Sequence, residues 1–194
     1  HLNLEGRVDV MFASPWDLVR TMKPTLPVAC GRPHLVSAAA FAFTSAFRGD
    51  VLYAVKANPS PWVIETLFAS GITHFDVASL PEMELVKRYA PGAEMSFMHP
   101  VKSRHAIASA YAQGIRTFSF DCAEELFKIR DVCGEESDLT LMLRVDVSNR
   151  GAELPIDGKF GAKHAQVIEL LQAARPLAAR LGLCFHPGSQ CMDP

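Results

Sequence analysis

The 194-residue sequence carries a formal net charge of -2 and is 49% hydrophobic, the composition of a folded, soluble unit with a sizeable core. Its Lys and Arg residues are scattered, leaving no basic footprint for nucleic acid or an anionic membrane, and the apolar run around Ala38 to Phe43 is far shorter than the roughly 20 residues of a membrane span. With no basic-then-apolar leader at the N-terminus, a cytoplasmic address is the default.

In chain order, Val51-Leu52-Tyr53-Ala54-Val55 predicts a buried strand. Ser60-Pro61 then opens a helix whose apolar positions Val63, Ile64, Leu67 and Phe68 share one face, and Gly71 closes it. His74-Phe75-Asp76-Val77 is the next strand. It is followed by a helix from Leu80-Pro81 through Met83, Leu85, Val86 and Tyr89. Met95-Ser96-Phe97-Met98 precedes a helix opened by Ser103 and closed by Gly114, with Ala106, Ile107, Ala110 and Tyr111 inside. Thr117-Phe118-Ser119-Phe120 precedes a helix opened by Asp121. Leu139 to Val145 is a fifth strand. After a Gly- and Pro-bearing loop from Gly151 to Gly161, a helix runs from about Lys163 to Arg180, kinked at Pro176, with Gly182 just beyond it and Leu183-Cys184-Phe185-His186 as the last strand.

The first five strands recur at intervals of about 20 to 24 residues, the length of one strand, one helix and two short loops, which predicts a parallel α/β sheet with right-handed crossovers. An open doubly wound sheet and a closed (β/α)8 barrel both fit. The dinucleotide-binding form of the former wants a G-x-G-x-x-G turn after its first strand, whereas the turn here is Lys56-Ala57-Asn58-Pro59-Ser60. If the fold is a TIM-type barrel it is incomplete, because such barrels take about 250 residues. The start at His1 and the end at Pro194 also read as a piece of a longer chain. Cys30, Cys122, Cys133, Cys184 and Cys191 form an odd set without a C-x-x-C pair or metal-ligand spacing. They are expected to be reduced thiols, mostly in the core, with no metal site.

Under the barrel reading Lys56, Asp76, His99, Asp121, Arg144 and His186 all fall at C-terminal strand ends, the active-site face of such barrels. Lys56 is expected to emerge from a desolvated floor, and burial lowers a lysine pKa and makes the amine a better nucleophile toward a carbonyl. Alternatively, Lys56 pairs with Asp76 as a structural ion pair. Asp121 is equally explained as a helix N-cap, and Glu124 and Glu125 as first-turn charges favoured by the helix dipole.

The string Tyr53-Ala54-Val55-Lys56-Ala57-Asn58 resembles the cofactor-lysine signature of the alanine-racemase-type barrel decarboxylases that use pyridoxal 5'-phosphate, the family of ornithine, diaminopimelate and arginine decarboxylases. Further matches follow in the family's order: Phe75-Asp76-Val77-Ala78-Ser79 with Glu82, His99-Pro100-Val101-Lys102-Ser103, Phe120-Asp121 before Glu124-Glu125-Leu126, Leu143-Arg144-Val145, Gly158-Lys159-Phe160-Gly161-Ala162, and Phe185-His186-Pro187-Gly188-Ser189-Gln190. Pro187 stands where a small aliphatic residue is usual.

The resemblance implies that residues 1–194 are the N-terminal part of a pyridoxal-phosphate barrel, without the family's C-terminal β-domain. It implies Lys56 as the Schiff-base lysine, His186 stacked on the pyridine ring, Asp76, Glu82 and Arg144 lining the cofactor, and Ser189 on its phosphate. Gly188 and Ser189 in a tight loop would offer backbone N–H groups and a hydroxyl to that anion. Lys159 matches a position near the family's dimer interface. The implied function is decarboxylation of a small basic amino acid, ornithine to putrescine in polyamine synthesis, by a homodimer of the full-length protein, with the isolated chain inactive or barely active. The alternatives are a diaminopimelate decarboxylase, a non-catalytic cofactor-binding barrel protein and an alanine-type racemase.

Overall fold

The computed structural model describes residues 11–134, 138–148, 151–155 and 158–192. Two helices precede the sheet: α1 (Pro15–Met22), whose Asp17 N–H is accepted by the Ser14 hydroxyl, and α2 (Pro33–Ala46). Strand and helix then alternate through β1 (Leu52–Ala54), α3 (Pro61–Ala69), β2 (His74–Val77), α4 (Leu80–Tyr89), β3 (Glu94–Phe97), α5 (Arg104–Ala112), β4 (Thr117–Phe120), α6 (Ala123–Cys133) and β5 (Thr140–Arg144). Next come β6 (Ala152–Leu154), α7 (Val167–Ala174), β7 (Arg180–Cys184) and β8 (Ser189–Cys191). Proline at the first turn of α3 and α4 presets the helical φ where no N–H is needed. The Ser103 hydroxyl accepts the Ala106 N–H to cap α5. Gly71 and Gly114, at φ 93° and 92°, turn the chain out of α3 and α5 through the left-handed region that glycine alone enters freely.

The main sheet is six-stranded and parallel in every pairing, in the order β1-β2-β3-β4-β5-β7. Each new strand joins the far side of its predecessor and the order never reverses. A doubly wound sheet needs a reversal at its switch point. Continued addition on one side, with helices returning over the same face, builds a barrel wall. This is the incomplete parallel α/β barrel, one of the two architectures that the strand spacing allowed. β6 and β8 form a separate antiparallel pair.

Strands read from the sequence as uniformly buried runs present two different faces, and burial alternates along β2 and β5. Phe75, Val77, Phe97, Phe118, Phe120, Leu141 and Leu143 are all buried, and they form the core with Ile64, Leu67, Met83, Val86, Ile107, Leu126 and Ile129 of the helices. The intervening residues, His74 and Asp76, Glu94 and Ser96, Thr117 and Ser119, Met142 and Arg144, fall on the opposite, largely polar face. Registers of Asp76 with Ser96, Ser96 with Thr117 and Thr117 with Thr140 place them side by side across the sheet. The hydrophobic core is therefore a layer between sheet and helices.

Two further expectations change. The helix expected over Lys163 to Arg180 is the shorter α7. Pro176, lacking an N–H, converts the following segment into a 3-10 turn over Arg175–Leu177, and β7 has begun by Arg180. Gly182 consequently lies within β7, where a Cβ would come 2.8 Å from the Met142 sulfur. None of the cysteines is a core residue: Cys30 and Cys191 are exposed and Cys122, Cys133 and Cys184 half-buried, and none forms a disulfide among the described residues. Among the described residues no helix is long and apolar enough to cross a membrane.

Candidate active site

The C-terminal strand ends bring Lys56, Asp76, Glu82, Arg144 and His186 around one pocket of about 190 Å³, together with Ala78, Met98, His99 and Phe160. The pocket draws on strand ends far apart in the sheet, from β1 to β7, which no local segment could supply.

Lys56 departs from the desolvated floor expected of it. Only Val55 beneath it is buried; Lys56 lies in a 3-10 turn over Val55–Ala57 that lifts its side chain off the end of β1, and it is exposed. The turn is fixed at its far end, where the Asn58 side chain accepts the Ser60 N–H at 3.0 Å and the Asn58 carbonyl accepts the Tyr53 hydroxyl at 3.2 Å.

Asp76 carries the strongest electrostatic signal. Burial pushes its carboxyl up to about 6, the Lys56 cation opposes that rise and the Glu82 carboxylate adds to it. Glu82 itself is committed: its Oε2 accepts the Ala78 N–H at 2.6 Å, tying the loop after β2 to the first turn of α4. Glu82 therefore holds the loop that joins the two carboxylates and also lines the pocket.

Two imidazoles line the pocket and are held in the same way. The Gly188 N–H donates to Nδ1 of His186 at 3.0 Å, and the Val101 N–H donates to Nδ1 of His99 at 3.1 Å. A backbone N–H can only donate, so in the neutral ring Nε2 carries the proton on both residues. Burial, and then the Lys56 and Arg144 cations, hold His186 below its ordinary value, which keeps it neutral at pH 7. The backbone of His99 is fixed from below. Lys102, only 3% exposed, donates through Nζ to the carbonyls of His99 at 2.9 Å and Ser119 at 2.5 Å, and pairs at 3.0 Å with Glu125, also 3% exposed. Glu125, which the sequence reading left as a first-turn charge, is thus a buried partner, shared with Lys128 at 2.5 Å.

Ser189 does not join this group. It is exposed at the start of β8, opposite Leu154 of β6, and is not among the pocket residues. The Gly188 N–H expected to be free for an anion is already spent on His186. Asp121 is also not the cap of α6: Cys122 is the N-cap, and Asp121 Oδ2 accepts the Gly161 N–H at 2.9 Å, across the strand ends. Lys159 is exposed, with its ammonium 5.2 Å from the Phe160 ring centre. His99 and Phe160 line the pocket as well, and sequence reasoning gave neither of them a role there. His99 had been noted as a strand-end residue, but nothing in the sequence brings Phe160 to it.

The arrangement offers an amine to add to a carbonyl, a carboxyl that exchanges its proton near neutrality, a guanidinium for anionic oxygens and a neutral ring that can lie against an aromatic face. That donor set fits pyridoxal phosphate, which presents an aldehyde, a pyridine and anionic oxygens.

A family model described as pyridoxal-dependent decarboxylase, pyridoxal binding domain, matches residues 34–194. The lysine/ornithine decarboxylase of Selenomonas ruminantium is 36% identical over 149 residues, 75% of this chain and 37% of that protein. A solved structure of a SrLDC mutant in complex with PLP superposes with a TM-score of 0.79 at 29% identity, covering 94% of this chain and 48% of that one. The lysine/ornithine decarboxylase from Vibrio vulnificus complexed with putrescine gives 0.70 at 30% identity, covering 84% and 42%. The chain thus spans less than half the length of these relatives.

Proposed function

Because this chain belongs to the pyridoxal-dependent decarboxylases through their pyridoxal binding domain, we propose that it is the cofactor-holding part of an enzyme that decarboxylates a basic amino acid, with ornithine giving putrescine. The observation that carries the reading is the convergence of Lys56, Asp76, Glu82, Arg144 and His186 on one pocket at the C-terminal strand ends. The relatives named for lysine and ornithine support the substrate class. A cytoplasmic address and a full-length homodimer accompany the reading as family defaults.

Lys56 would hold the cofactor, His186 would face its ring, Asp76 and Glu82 would line it and Arg144 would bind its anionic oxygens. Ser189 would reach its phosphate only if β8 shifts toward the pocket. When bound, pyridoxal phosphate supplies a carbonyl for amines and a ring that takes up the electron pair left by departing carbon dioxide. Around it, this chain's residues have distinct parts. The exposed Lys56 amine is open to exchange with an incoming amine. Asp76, with its carboxyl near 6, can hold or release a proton beside it. Neutral His186 can lie against an aromatic ring without adding charge.

The test uses L-ornithine, L-lysine and L-arginine labelled at the carboxyl carbon, with pyridoxal phosphate and Lys56→Ala as reference. A trace of label released only when Lys56 is present, with ornithine and lysine ahead of arginine, is the expected result. Equal release from the Lys56→Ala protein, or inversion at the α-carbon without release, contradicts the decarboxylase reading. Turnover in the ordinary enzymatic range of about 1–1000 per second contradicts the claim that this chain alone is barely active.

A further inference from the structure

We infer that Phe160 is a positioning residue: latched over the strand ends through Asp121 and Gly161, its ring sets the direction of the Arg144 guanidinium and the His99 imidazole into the pocket. The inference rests on the reading of the pocket as a pyridoxal-phosphate site and extends it to Phe160, which lies in a matched signature but was given no role there.

The latch is built from several independent contacts. Just after Phe160 the chain runs beside the end of β5 as a short parallel bridge, Val145 opposite Ala162. The Ala162 N–H donates to the Arg144 carbonyl at 2.8 Å and the Asp146 N–H to the Ala162 carbonyl at 3.0 Å. Lys163 pairs with Asp146 behind it. From β4, Asp121 Oδ2 accepts the Gly161 N–H at 2.9 Å. Gly161 sits at φ +103°, and a Cβ there would lie 2.6 Å from the Asp146 nitrogen, so only glycine lets the segment approach this closely.

Held in this way, Phe160 meets two of the pocket's polar groups. The Arg144 guanidinium carbon lies 5.2 Å from its ring centre, within cation–π range. The His99 ring meets it edge to face at 5.4 Å and 76°. An arginine at a strand end otherwise has several rotatable bonds to order before it can bind an anion. The ring removes much of that freedom in advance.

The test compares Phe160→Leu, which keeps bulk but loses the ring, with Phe160→Tyr, which keeps it. Asp121→Ala, which loses the acceptor, is compared with Asp121→Asn, which keeps one. The first readout is the Arg144 Nε–H resonance, displaced by the Phe160 ring current and measured without any ligand. The second is the dissociation constant for pyridoxal phosphate, with the thermal midpoint followed alongside. Phe160→Leu and Asp121→Ala should both lose the displacement and weaken pyridoxal phosphate about tenfold, while Phe160→Tyr and Asp121→Asn retain both. If Phe160→Leu does not fold, Asp121→Ala reads the same displacement with the ring still in the chain. An Arg144 resonance unchanged in Phe160→Leu, or a Phe160→Tyr protein as weak as Phe160→Leu, overturns the inference. A wild-type chain that takes up no pyridoxal phosphate contradicts the proposed function instead, and the resonance then decides the role of Phe160 by itself.

Discussion

Asp76 sits where solvation and function pull in opposite directions. Its carboxyl, ordinarily at 3.8, is raised to about 6, chiefly by burial, so between those values the folded chain binds a proton that the unfolded chain has released. Stability from this group is therefore greatest at and below pH 4, falls as the pH climbs through 6, and stays reduced at pH 7. Asp76→Asn should stabilise the ligand-free chain by about 1–2 kcal/mol at pH 7, two pKa units discounted for partial solvation. The gain should vanish near pH 4 in urea titrations across that range. A gain independent of pH would rule out ionisation as its cause. Lys56, Asp76, Glu82, Arg144 and His186 were legible in the sequence because each sits in a short motif beside a strand end. The exposure of Lys56 was not, because it comes from the turn that lifts the residue off β1, and five apolar neighbours in sequence do not reveal a turn. The placement of Ser189 was missed because its pairing partner, Leu154 of β6, lies in a loop that gave no strand signal.

Lys102 joins β3, β4 and α6. Its ammonium donates to the carbonyls of His99 and Ser119 and forms an ion pair with Glu125. Removing one member of a buried pair leaves the other desolvated, so Lys102→Met should cost about 3 kcal/mol. The residual contact from Lys128 limits the loss, and Lys102→Met with Glu125→Leu should recover part of it, as read from urea midpoints. A single variant as stable as wild type would show that the pair is not desolvated. Gly161→Ala should be worse than its size suggests, since it brings a Cβ into the Asp146 backbone at a positive φ. A loss of about 2 kcal/mol is expected, with the Phe160 side displaced from His99. The elements themselves were readable from alternating strand and helix patterns. Their faces were less so, since Thr117-Phe118-Ser119-Phe120 reads as one apolar run until Ser119 is seen on the inner face and Phe118 and Phe120 under the helices. Asp121 was misassigned for a related reason: a carboxylate before a helix looks like a cap, and only the tertiary fold brings the Gly161 N–H to it.

Across the whole molecule, the parallel order β1-β2-β3-β4-β5-β7 was implicit in the spacing of the strands, while the choice of barrel over doubly wound sheet depended on the turn after β1. The sheet ends at β1 and β7 without further strand partners among the described residues, and near β7 Leu183 and Phe185 are 53% and 65% exposed. An open edge with apolar side chains favours association, so the chain should self-associate with rising concentration in sedimentation, less so as Leu183→Lys. Concentration-independent monomer would show that the edge is protected in solution. The central claim, that this wall of strands presents Lys56 to pyridoxal phosphate, is tested most directly by titrating the chain with the cofactor, reducing it with borohydride and mapping the labelled peptide. A pyridoxyl adduct on Lys56, absent from Lys56→Ala, is the predicted result. An adduct spread over surface lysines, or none at saturating cofactor, would contradict it.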